Sequence, residues 1–138
     1  MSPAKKAAFA GVLAVFLLTW IKPLWPLEQA LHSSLTVAGL AALWWVDRRW
    51  PLGGGAFAAV CGFVALHCIG ARWLYSNVPY EAWLQGLAGW SPNAAFGWQR
   101  NHFDRLIHLL YGLCFAPALA QLARHAWPAL RGGQAFVL

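Results

Sequence analysis

Hydrophobic positions fall into four long runs, each closed by a short charged or turn-forming cluster. The first, Ala7 to Ile21, is almost unbroken; Lys5-Lys6 precede it and Lys22-Pro23 close it. It predicts a span over residues 7–22, somewhat short unless the flanking lysines reach to the headgroups. No small-x-small site follows it, so an uncleaved helix is expected rather than a signal peptide.

The second run predicts a helix over residues 30–46. Its first turns carry Gln29, His32, Ser33, Ser34 and Thr36, expected to face other helices or the interface, and Leu35 to Val46 is strongly apolar. Asp47-Arg48-Arg49-Trp50-Pro51 reads as a charged turn that ends the helix, and Gly53-Gly54-Gly55 as a flexible loop. A third span is predicted over 55–75 and a fourth over 103–124, kinked at Pro117. Between them, 76–100 is rich in Trp, Gly, Pro and Asn. It reads as an interfacial loop, with an amphipathic piece at Glu81 to Leu87. The pattern thus predicts an all-α, polytopic transmembrane bundle of about four spans. Residues 1–138 form a single integral membrane domain that ends on the apolar Ala135-Phe136-Val137-Leu138. That ending reads as the start of a further span, so a C-terminal truncation is expected.

Composition strengthens the membrane reading. Hydrophobic residues make up 60% and charged residues 10%, against roughly 25% charged in a soluble domain. So few charges cannot cover the surface of a small soluble protein; lipid is the solvent that makes up the deficit. The net charge of +6 does not point to nucleic acid, because the ten Lys and Arg are spread over the ends of the apolar runs. The ten Trp fall at the same places, as in the aromatic belts of membrane proteins. Cys61, Cys68 and Cys114 lie inside apolar runs, without the spacing of a disulfide framework or a zinc site. With the N-terminus inside, one side carries Lys5, Lys6, Arg48, Arg49, Arg124 and Arg131, and the other Lys22, Arg72, Arg100 and Arg105. This bias predicts that both termini are cytoplasmic.

Against this background one polar stretch stands out: Arg100-Asn101-His102-Phe103-Asp104-Arg105-Leu106-Ile107-His108. Asp104 and His108 are four apart and share one helix face. A second polar segment, His67 to Ser76, leaves the third span at the same membrane face. The two therefore meet if consecutive antiparallel helices are neighbours. Three readings are open. In the first, Asp104 pairs with Arg72 or Arg105 while His67 and His108 bond between helices, and the cluster organises the bundle. In the second, His67, His102, Asp104 and His108 bind a divalent metal, against which stand the missing HExxH-type signature and the adjacent Arg105. In the third, Arg72, Tyr75, Arg100 and Arg105 hold an anionic ligand, with His108 and Asp104 as acid and base. No cofactor is otherwise expected. His32 and His125 read as solvated helix-end residues, and Glu81 as part of a solvated face.

The segments His67-Cys68-Ile69-Gly70-Ala71-Arg72-Trp73-Leu74-Tyr75-Ser76-Asn77-Val78-Pro79 and Arg100 to His108, with Gly112 beyond, resemble the YjdF-like family of bacterial inner-membrane proteins. The likeness is best over residues 56–127 and looser over the first two spans. It implies a multi-pass inner-membrane protein of unknown activity. Members of that family usually continue into further spans bearing carboxylates, so a complementary C-terminal membrane fragment or a homo-oligomer joins the lipid bilayer as an expected partner. The function expected is an outer-face His/Asp/Arg cluster that organises the bundle or binds a small or lipid ligand. The alternative is a membrane-embedded enzyme acting on a lipid-linked or headgroup substrate.

Overall fold

The computed structural model describes residues 1–129; Arg131 and the apolar ending at 135–138 lie outside them. Six helices follow one another: α1 (Pro3–Thr19), α2 (Pro26–Arg49), α3 (Gly54–Arg72), α4 (Tyr80–Ala88), α5 (Pro92–Phe96) and α6 (Phe103–Ala126). No strand occurs among the described residues. The four long helices run up and down, and α3 sits at the centre, against α1 and α6 extensively and α2 more lightly. Two of them, α3 at 19 residues and α6 at 24, are long and apolar enough to cross a membrane.

The helix limits differ from those the hydropathy pattern predicts, and local chemistry explains why. Ser2 caps α1 through its side chain with Pro3 at the first helical position, so the helix starts before the apolar run and takes in Lys5 and Lys6. α2 continues through Asp47-Arg48-Arg49, expected to be a turn, and stops where Trp50 precedes Pro51. Two of the three glycines expected to form a loop instead make the first turn of α3. The loop 76–100 holds two helices rather than one amphipathic piece, and α6 runs through Pro117 as one helix.

The orientation of α2 is informative about its solvent. Its buried stripe is Gln29, Ser33, Thr36, Leu40, Leu43 and Asp47, three of the first turns being polar. Gln29 is 1% exposed while Leu27, Leu31 and Leu35 are 71%, 66% and 72% exposed. A soluble helix turns its leucines inward and its amides to water. Polar groups turned inward and leucines outward is the arrangement that lipid requires.

The ends of the bundle are tied by polar side chains. At one end Lys5 Nζ donates to Asp47 Oδ1 at 2.5 Å, and Asp47 also accepts from the Leu52 amide at 3.0 Å. Both side chains are buried, and Lys5 lies 5.5 Å above the Phe57 ring. Neither Lys5 nor Asp47 is the solvated flanking charge that the sequence suggests. Gln121 adds a tie there by accepting from the Gly53 amide at 2.6 Å. At the other end the Arg72 guanidinium donates to the carbonyls of Thr19, Ile21 and Lys22 at 2.5, 2.9 and 3.1 Å. These include the orphan carbonyls at the end of α1, so Arg72 acts as its C-terminal cap. Gln29 Nε2 donates to Thr19 O as well, at 2.9 Å.

Candidate functional site

At that second end, α3 finishes in an unusual turn. Leu74 and Tyr75 both take left-handed backbone conformations, with φ of 50° and 58°. For bulky residues this is unfavourable and has to be held by surrounding contacts. The Tyr75 amide donates back to Gly70 O at 2.8 Å, and the ring lies over Gly70, where a side chain would collide with it. Gly70 thus makes the space for Tyr75 to fold back along α3. The Tyr75 hydroxyl reaches Nδ1 of His67, eight residues earlier, at 2.7 Å. His32 of α2 meets the Tyr75 ring edge-on at 5.4 Å and the His67 ring at 6.5 Å. His32 is therefore half-buried beside the site, not solvated at a helix end as expected.

The start of α6 faces the same turn. Asn101 fixes it by accepting from the Phe103 amide at 2.9 Å while donating to Val78 O at 2.7 Å. Phe103 and Ile107 are buried with Phe63 and Val78 in a small apolar core. That packing leaves Asp104 and His108 on one flank of α6. Asp104 accepts from the Arg105 amide at 2.8 Å, a favourable place for a carboxylate at a helix N-terminus. His108 Nδ1 lies 2.6 Å from Asp104 O, as donor in the tautomer that carries the proton there.

The result is a groove of about 450 Å³ that gathers the two predicted segments. His67, Tyr75 and Ser76 line it from the α3 side, and Asp104, His108 and Tyr111 from α6, with Phe63 and Ile107 among its apolar walls. Tyr111 completes the set at three residues from His108 and seven from Asp104. Its spacing alone puts it on that face, one turn beyond His108.

Several predicted members are elsewhere. Asp104 forms no ion pair with Arg72 or Arg105: among the described residues the one salt bridge is Lys5–Asp47. Arg72 is taken up by the end of α1, because three carbonyls in reach satisfy its fork of donors better than one distant carboxylate. His102 lies on the other flank of α6, its Nδ1 against Arg100 O at 2.8 Å and its ring 4.3 Å from that of Trp98. The four candidate metal ligands are therefore split, and no three His, Cys, Asp or Glu among the described residues gather to hold an ion. Arg105 shares the flank of His102, and Arg100 is exposed and lines neither flank's groove. Glu81 is half-buried rather than on a free solvated face; it accepts from the Ser91 hydroxyl and from the Asn93 amide, clipping α4 to α5.

No curated protein and no solved structure matches the chain. Residues 4–138 do match the profile of a family described as predicted membrane protein, DUF2238. With its all-helical architecture, two helices able to cross a bilayer and a third that turns its leucines outward, the chain belongs to this family of membrane proteins.

Proposed function

We infer that this is a four-span protein of the bacterial inner membrane, of the YjdF-like kind. Both termini are cytoplasmic, and the groove between the end of α3 and the start of α6 binds a small polar ligand on the outer face. One observation carries the ligand reading. Asp104 and His108 line a groove without tying helices together, while the ties between helices are made by Lys5–Asp47, Gln29–Thr19, Gln121–Gly53 and Arg72. The hydrogen bonds of Asp104 and His108 stay within the first turns of α6, so the packing between helices does not use this carboxylate and imidazole. A ligand bearing hydrogen-bond donors suits Asp104, with His67, His108, Tyr75 and Tyr111 able to donate or accept around it.

The test is native mass spectrometry of protein extracted in mild detergent, with Asp104→Asn and His108→Ala beside the parent. The expected outcome is a small molecule bound to the parent and lost from both variants, whose helix content is unchanged. Unfolding of both variants, with no small molecule on the parent, would overturn the reading and return these residues to a packing role.

A further inference from the structure

The opposite flank of α6 borders a second groove, larger and of different chemistry. It encloses about 760 Å³, within the range of a site for a drug-sized ligand. Leu66 and Ile69 of α3 and Leu106 and Leu109 of α6 form one side, while α4 and α5 cross over the other with Trp83, Leu87 and Phe96. This cover is held in place, because Glu81 clips α4 to α5 and Trp73 at the end of α3 meets Trp83 edge-on at 5.4 Å. The lining is almost wholly apolar and aromatic, which leaves a water-soluble metabolite few groups to bind.

Arg105 breaks the apolar pattern. It lines the groove, is exposed, and its side chain has no hydrogen bond or ion pair among the described residues. His102 beside it is occupied by Arg100 O and its ring packs at a tilt against Trp98. Arg105 therefore presents an uncommitted guanidinium on the first turn of α6, with hydrocarbon-lined space running along α6 as far as Leu109. An arginine lays its stem along such a surface and keeps its head where an oxyanion can be bound through two parallel N–H groups. The α4–α5 segment, with Trp83, Trp90 and Trp98 on the same groove, has the aromatic character of the headgroup region.

We propose that this groove binds one hydrocarbon chain of an anionic membrane amphiphile, whose phosphate or carboxylate head sits on Arg105. The charge selects the head and the apolar channel selects the chain, so neither part alone is a good ligand. The groove shares no lining residue with the polar groove on the other flank, although the Asp104 carboxylate of that groove accepts from the Arg105 amide.

The experiment uses the full chain in a non-ionic detergent, stripped of lipid and titrated under native mass spectrometry. The probes are lysophosphatidylglycerol, oleate, lysophosphatidylcholine and inorganic phosphate. Expected are at least tenfold tighter retention of lysophosphatidylglycerol or oleate than of lysophosphatidylcholine, loss of that preference in Arg105→Gln, and no retention of phosphate alone. Stronger binding of lysophosphatidylglycerol than of oleate identifies a phospholipid as the source, and the reverse a free fatty acid. Leu109→Trp, which fills the channel, is expected to weaken both anionic probes while leaving helix content unchanged. Equal retention of anionic and zwitterionic probes by the parent, an unchanged preference in Arg105→Gln, or phosphate competing as well as the amphiphiles would overturn the proposal.

Discussion

Substituting Gly70 by Ala tests the turn on which the polar groove depends. A methyl there would lie 2.7 Å from Cδ1 and Cε1 of Tyr75 and 3.2 Å from the Phe103 ring, whereas ordinary contact begins at 3.4 Å. The tyrosine ring must then retreat by about 0.7 Å, which pulls its hydroxyl from a 2.7 Å bond with His67. Overpacking of this kind costs about 1–3 kcal/mol, and the lost hydrogen bond about 0.5–1.5 kcal/mol. Replacing a helical glycine by alanine returns about 0.5–1 kcal/mol. The net expectation is a loss of about 0.5–4 kcal/mol, with Tyr75→Phe losing only the share of the bond. Gly62→Ala is the control, since its methyl would meet nothing within 4 Å in the same helix. Stability is read from helical circular dichroism during titration of detergent-solubilised protein with dodecyl sulfate, and the bond from the nitrogen-15 shifts of the His67 ring. If Gly70→Ala proves as stable as Gly62→Ala with His67 unperturbed, Tyr75 does not fold back over Gly70 and the groove lacks its upper wall.

Three further outcomes are expected. Asp47→Ala, which leaves the Lys5 ammonium buried without its partner, is expected to destabilise by about 3–5 kcal/mol, and the double change Lys5→Met, Asp47→Leu to recover most of that in the same titration. Arg72→Gln is expected to lose about 1.5–3 kcal/mol and to be additive with Asp104→Asn within about 0.5 kcal/mol; strong coupling between the two would restore the ion pair that the geometry lacks. Glu81→Ala is expected to loosen α5 and the segment Trp90–Trp98, seen as faster hydrogen exchange and earlier protease cleavage there than in the parent.

The helical class and the meeting of the two polar segments were legible because both rest on simple periodicity. Long apolar runs need lipid, consecutive antiparallel helices adjoin, and Asp104 and His108 are one turn apart. What was not legible depends on competition among partners. Arg72 could answer a carboxylate or backbone carbonyls, and only the position of the end of α1 decides for the carbonyls. Lys5 and Asp47 read as flanking charges, because a pair 42 residues apart leaves no trace in local pattern. The back-folded Tyr75 was equally hidden: two successive non-glycine residues with positive φ run against intrinsic preference. His32 had a weak signal, lying among the polar first turns of a helix that turns its polar residues inward. His102 and Arg105 left the expected cluster because Phe103 and Ile107 fix the rotation of α6.

The inverted face of α2 and its two tethers to α1 bear on how the chain is assembled during synthesis. Left alone in lipid, a helix carrying Gln29 and Asp47 on one stripe has no partners for them, whereas Thr36 bonds back to His32 O within the helix. Within the first 49 residues, however, Gln29 can already reach Thr19 and Asp47 can reach Lys5. These bonds join the two helices near both ends, although their backbones scarcely approach each other. The hairpin they close is a frame with an open middle, and α3, the next helix to emerge, is what fills it. Its last residue, Arg72, then fastens the frame by binding the end of α1. For the first three helices, the order along the chain is thus also the order in which Lys5, Asp47, the Gln29 amide nitrogen and Arg72 find partners.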